Sequence, residues 1–78
     1  MTSIVKTGLD NYAKYRIPTG GFLICVLEND LMRAVMKADD TNINHLRSIC
    51  QYIQDTLPLE SYGNAQKVKA WMAGRHLV

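Results

Sequence analysis

The sequence predicts an all-α fold, a compact bundle of four to five short helices, and three observations predict it. Apolar residues recur at three- and four-residue spacing through most of the chain, and no stretch reads as a convincing strand. Helix punctuation divides the chain: Pro18 and Pro58 stop periodic segments, while Asp39-Asp40-Thr41 and Asn64 offer capping side chains before new ones. At 78 residues the chain is a single domain, 1–78, without repeats or low-complexity tracts. A core of that size buries little surface, so association into a homo-oligomer is the expected supplement.

From Ser3 to Arg16, Val5, Leu9, Tyr12, Ala13 and Arg16 fall on one helical face, which the aliphatic stem of Arg16 extends. Pro18 ends this helix, because the residue before a proline is pushed out of the helical region. Thr19 is the expected N-cap of the next helix, with Gly20 and Gly21 in its first turn. The stripe Leu23, Leu27, Leu31, Ala34, Ala38 runs on from there, interrupted at Asn29-Asp30 by either a kink or a restart capped by Asp30. After Asp39-Asp40-Thr41, the residues Ile43, Leu46, Ile49, Cys50, Ile53 and Leu57 make the cleanest amphipathic helix in the chain, and Pro58 closes it. Ser61 to Asn64 reads as a loop closing on an N-cap at Asn64, and Val68, Trp71 and Met72 line a last helix halted near Gly74.

Composition excludes several classes of function. The longest apolar run, Phe22 to Leu27, is six residues, whereas a membrane span needs roughly 18 or more. The first residues, MTSIVKTGLD, lack the features of a secretory signal, so a soluble, intracellular protein is expected. Nine Lys and Arg against seven Asp and Glu give a formal charge of +2, which permits an anionic ligand without demanding one. No charge run resembles a nucleic-acid-binding arm, so DNA or RNA is not the expected partner. Cys25 and Cys50 stand apart in apolar helical patterns and read as buried thiols rather than a disulfide or zinc site. His45 and His76 have no metal-spaced partner. Asp39-Asp40 and the Glu28, Asp30 pair are explained by capping and solvation. With no nucleophile–base arrangement, neither enzyme activity nor a cofactor is expected.

The pair Gly20-Gly21 is the most concrete candidate site. The first amides of a helix have no intrahelical partner and carry partial positive charge, so they can hold a phosphate, and glycine leaves the backbone open to it. Thr19 can add a hydroxyl, and Lys14 and Arg16 arrive from the preceding helix. The plainer alternative is a sharp interhelical turn. Tyr62 and Trp71 can stack on a base, the alternative being ordinary packing.

The pattern Gly20-Gly21-Phe22-Leu23, Val26-Leu27, Asn29-Asp30-Leu31, Ala34, Ala38-Asp39 and Asn42 resembles a widespread group of small proteins from tailed bacteriophages and prophages. The resemblance covers residues 17 to 71, and Tyr62-Gly63-Asn64 and Ala70-Trp71 match its C-terminal part. Tyr62 stands where tryptophan is common in the group, and Asn64-Ala65 where serine and proline are common. The resemblance implies a phage gene acting in the host bacterial cytoplasm; by analogy, small phage proteins outside the virion commonly counter host defence or redirect host machinery, some as oligomeric sponges for nucleotide immune signals. Two functions are therefore expected. The first is a homo-oligomeric sponge that holds a nucleotide-derived signalling molecule by its phosphates at Lys14, Arg16, Thr19, Gly20 and Gly21, with Tyr62 or Trp71 covering the base. The second is a protein-interaction inhibitor of a host enzyme or defence complex, its partner a host enzyme or host defence protein, using an exposed helical face with Met32, Met36 and Met72 as adaptable contacts. Assembly through apolar helix faces is expected from Phe22, Ile24, Cys25 and Val26, which surround the second helix and cannot all face one small core.

Overall fold

Where each helix begins and ends follows from which backbone groups find partners. The computed structural model describes residues 1–74, so His76 lies outside the described residues. These residues form six α-helices and no strand: α1 (Ser3–Tyr15), α2 (Gly21–Leu27), α3 (Leu31–Lys37), α4 (Asp40–Asn44), α5 (Leu46–Thr56) and α6 (Ala65–Ala73). A 3₁₀ turn, Leu59–Ser61, precedes α6. No helix among the described residues is long and apolar enough to cross a membrane.

The Thr2 hydroxyl caps α1 by accepting from the Val5 amide at 3.3 Å. The helix ends one residue sooner than the apolar spacing predicts, because Arg16 takes a left-handed conformation with φ 61°. There the Arg16 amide donates to the Tyr12 carbonyl at 3.0 Å, satisfying an acceptor that the helix end would leave open. Thr19 is not the cap of α2. Gly20 holds that position, its carbonyl accepting from Ile24 at 3.0 Å, and the Thr19 hydroxyl donates to the same carbonyl at 3.1 Å.

The interruption at Asn29-Asp30 is a restart rather than a kink. Asn29 is left-handed with φ 61°, a conformation asparagine tolerates better than most residues, and Asp30 caps α3 through the Arg33 amide. The single helix expected after Asp40 is also divided. The His45 ring nitrogen Nδ1 pairs with the Thr41 carbonyl at 2.8 Å, while the His45 amide donates to Asn42 at 3.2 Å instead. A side chain thus takes the acceptor that the backbone of a continuous helix needs. These two breaks raise the number of helices above the four to five expected. Asn64 caps α6 by accepting from Lys67 at 2.8 Å, as its position predicts. Gly63, with φ 123°, turns the chain so that its amide reaches the Leu27 carbonyl at 2.7 Å, fastening the loop to the end of α2.

Leu9, Leu27, Ile49 and Val68 are the best-buried aliphatic side chains, drawn from α1, α2, α5 and α6. The apolar surplus predicted around α2 is absorbed, with Phe22 and Cys25 buried and Ile24 and Val26 packed against the core. Cys25 is a buried thiol as expected, but Cys50 is exposed, since α5 turns Ile49 and Ile53 inward and leaves position 50 outside. Met72 packs against the core, whereas Met32 and Met36 stand in solvent.

Ile49→Ala should lower unfolding free energy by about 2–5 kcal/mol in urea titrations, because it removes packed volume from a fully buried site. Met36→Ala, at 83% exposure, should stay within about 0.5 kcal/mol of wild type under conditions where the protein is monomeric.

Candidate functional site

The seven residues expected to hold a ligand fall in four places. Arg16 and Trp71 are together, but they serve each other. The Arg16 guanidinium carbon lies 3.8 Å from the centroid of the Trp71 ring, and its Nη1 donates to the Trp71 carbonyl at 3.2 Å. The left-handed turn at Arg16 aims its side chain at α6 rather than at the glycine turn. Trp71 in turn donates from Nε1 to the Tyr12 carbonyl at 2.8 Å, so the ring fastens α6 to α1. Gly74 completes this arrangement, since a Cβ there would stand 3.0 Å from the Arg16 guanidinium carbon.

Lys14 is exposed on the last turn of α1, with its ammonium 5.3 Å from the centroid of the Tyr15 ring. Neither Lys14 nor Arg16 lines the cleft that contains Thr19, Gly20 and Gly21. That cleft, of about 410 Å³, is open and runs from Ile4 and Gly8 of α1 past the glycine turn to Asn42 of α4. Gly20 brings no side-chain cap to α2, and nothing lies within 4 Å of where a Cβ on Gly20 would be. The cation that does approach is Lys37, at the end of α3, whose Nζ is 3.7 Å from the position of a Cβ on Gly21. Local sequence could not reveal this neighbour. Lys37 follows Ala34 by three residues, but its closeness to Gly21 depends on α3 folding back along α2, which the reversal at Asn29-Asp30 decides.

Tyr62 is the fourth location. It lines a half-open cleft of about 210 Å³ between the end of α2, the outer side of α5 and the loop before α6. Asn29, Cys50 and Gln54 line it too, none of them among the residues expected from sequence. Partial enclosure raises the Cys50 thiol pKa above its ordinary value by desolvation. Among the described residues no group of three or more His, Cys, Asp or Glu side chains is placed to hold a metal ion.

Titratable groups elsewhere hold helices together. The Tyr52 hydroxyl donates to the Asp10 carboxylate, joining α5 to α1, and that hydrogen bond is the main cause of a lowered Asp10 pKa. Lys6 adds an ion pair to Asp10 at 3.2 Å, on an exposed surface where such pairs contribute little. Tyr12 is fully buried and donates to the Ser61 carbonyl at 2.6 Å. Burial, followed by the nearby Glu28 charge and opposed by Arg16, pushes its pKa from 10.0 to about 12.

An unfolded tyrosine loses its proton at lower pH than Tyr12 does in the folded chain, so ionisation favours unfolding between the two values. The contribution is intact below pH 10 and is lost as pH rises toward about 12, amounting to roughly 2–3 kcal/mol. Denaturant titrations from pH 9 to about 12 should show this loss in wild type. Tyr12→Phe should lack that component of the pH dependence and be less stable at neutral pH, where the buried Ser61 carbonyl loses its donor.

No protein family, curated protein or solved structure matches the chain.

Proposed function

We propose that this chain is a non-enzymatic binding protein that works as a homo-oligomer in the cytoplasm of a phage-infected bacterium and sequesters a nucleotide immune signal. One observation carries the reading: α3 meets the core through alanine and turns its large apolar side chains outward. Ala34 is its one buried residue, while Leu31, Met32, Val35 and Met36 are 62%, 78%, 42% and 83% exposed. At 3.6 residues per turn these four positions cover a stripe about 140° wide. A stripe of that kind on a small domain is the mark of a surface that other protein covers. A helix of seven residues also has little stability of its own, so burying the stripe against a second copy supplies what the small core lacks.

The same helix supports uptake of an anion, since the Nζ of its last residue, Lys37, lies 3.7 Å from where a Cβ on Gly21 would stand, and Gly21 lines the open cleft although Lys37 itself does not. In this arrangement Lys37 takes the part that sequence assigns to Lys14 and Arg16. The nucleotide class comes from analogy with small phage proteins that sequester immune signals, the resemblance itself implying only a phage origin. A second reading is favoured by the two methionines of the stripe, whose flexible side chains adapt to unlike surfaces. In it, α3 docks on a host defence protein and blocks it, without any small ligand.

Native mass spectrometry of protein isolated from infected, defence-active cells should show several subunits together with a retained anionic ligand. Met32→Glu with Met36→Glu should leave monomers, because the charges would be buried on association. A wild-type monomer independent of concentration in sedimentation would sink the assembly.

Calorimetry against cyclic and linear nucleotides should show binding that Lys37→Ala weakens by about tenfold, the worth of one charge-assisted contact. Arg16→Ala should leave nucleotide affinity unchanged while lowering stability. If no nucleotide binds, the inhibitor reading stands in its place, and Arg33→Glu and Met36→Glu should then each weaken inhibition of the host protein.

A further inference from the structure

The cleft around Tyr62 is built differently from the glycine turn. Its lining joins an apolar floor of Leu27 and Ile53, both in the core, to an edge made by the exposed residues Asn29, Gln54 and Cys50 and the half-buried Tyr62. At about 210 Å³ it falls below the roughly 300–1,000 Å³ of sites that enclose drug-sized ligands, so it admits one ring system rather than a whole nucleotide. The side-chain amides of Asn29 and Gln54 each offer both a donor and an acceptor, and both residues are exposed at the cleft. An apolar ligand would use the floor and waste the edge. A sugar or a free phosphate would waste the floor.

We propose that this cleft binds the planar heteroaromatic ring of a nucleobase, with Asn29 and Gln54 reading its edge and Tyr62 covering its face. Amides pair side by side with the donor and acceptor atoms of a base edge, and aromatic rings stack on bases with little sequence preference. Asn29 is brought to the cleft by the left-handed turn between α2 and α3, and Gln54 by the outward face of α5. Tyr62 is held by the loop that Gly63 fastens to Leu27. The proposal rests on the reading of the chain as a nucleotide binder and adds the place where the base is recognised.

Cys50 lines the same cleft and reports on its occupancy, since the other cysteine in the chain, Cys25, is buried. The experiment measures the rate at which Cys50 reacts with iodoacetamide in the folded protein at mildly alkaline pH, alone and with millimolar adenosine, guanosine, cytidine or uridine. Nucleosides lack phosphate, so the glycine turn and Lys37 do not enter the result. At least one nucleoside should slow labelling threefold or more. Asn29→Gly, which keeps the left-handed turn and deletes the amide, and Gln54→Ala should each reduce that protection, while circular dichroism shows both variants folded. Cys50→Ser should take no label, confirming the reporter. Absence of protection by all four nucleosides overturns the proposal, and so does protection that neither variant diminishes. A nucleotide retained in native mass spectrometry without Cys50 protection would overturn this cleft alone. Protection in a protein that never assembles would sink the oligomeric reading and leave the cleft standing.

Discussion

The structure depends on a lock between its first and last helices, centred on Tyr12. Its side chain donates to the Ser61 carbonyl, and its own carbonyl accepts from Trp71, so one residue engages both the turn before α6 and α6 itself. The partners lie 49 and 59 positions away along the chain. Closing loops of that length carries an entropic cost that helix propensity does nothing to offset. Trp71 is further held from its face by Arg16, placed there by the left-handed end of α1. With α1 and α6 locked, α2 and α5 fill the space between them, and α3 is carried outside as an attachment of α2.

That lock changes how the candidate site residues are understood. Arg16 and Trp71 have the chemistry of a ligand site, a cation and an aromatic ring, and the fold uses both to join helices. Thr19, Gly20 and Gly21 remain beside an open cleft, while Tyr62 belongs to another. The apolar surplus has moved as well. It is not on α2, whose Phe22 and Cys25 are buried, but on α3, where alanine does the packing.

The helical class was legible because the 3.6-residue period is a local property, and so were the caps at Asp30, Asp39 and Asn64, each using a side chain within three residues of its target. The division at His45 was not legible. Nothing in the period marks a ring nitrogen competing for the Thr41 carbonyl, and Ile43 and Leu46 continue the apolar spacing across the break. Exposure of Cys50 was missed because it adjoins Ile49 on a helix whose apolar arc is wide enough to include either residue. The neighbours around these candidate residues that sequence could not supply have one cause. Lys37 beside Gly21, and Asn29 beside Gln54 and Tyr62, are neighbours across helices, and their meeting depends on the reversals at Asn29 and Gly63.

The alanine contact of α3 separates two tasks that small proteins commonly share among the same residues. Ala34 is 1% exposed and sets how closely the helix lies on α2, so a larger side chain there would lift the whole stripe. The outward positions 31, 32, 35 and 36 bear little of the core. Substitutions there can alter what the surface attaches to while the lock between α1 and α6 stays as it is. A lineage carrying this fold is thus free to exchange one attachment for another by changing four side chains, and selection on recognition need not pass through selection on folding.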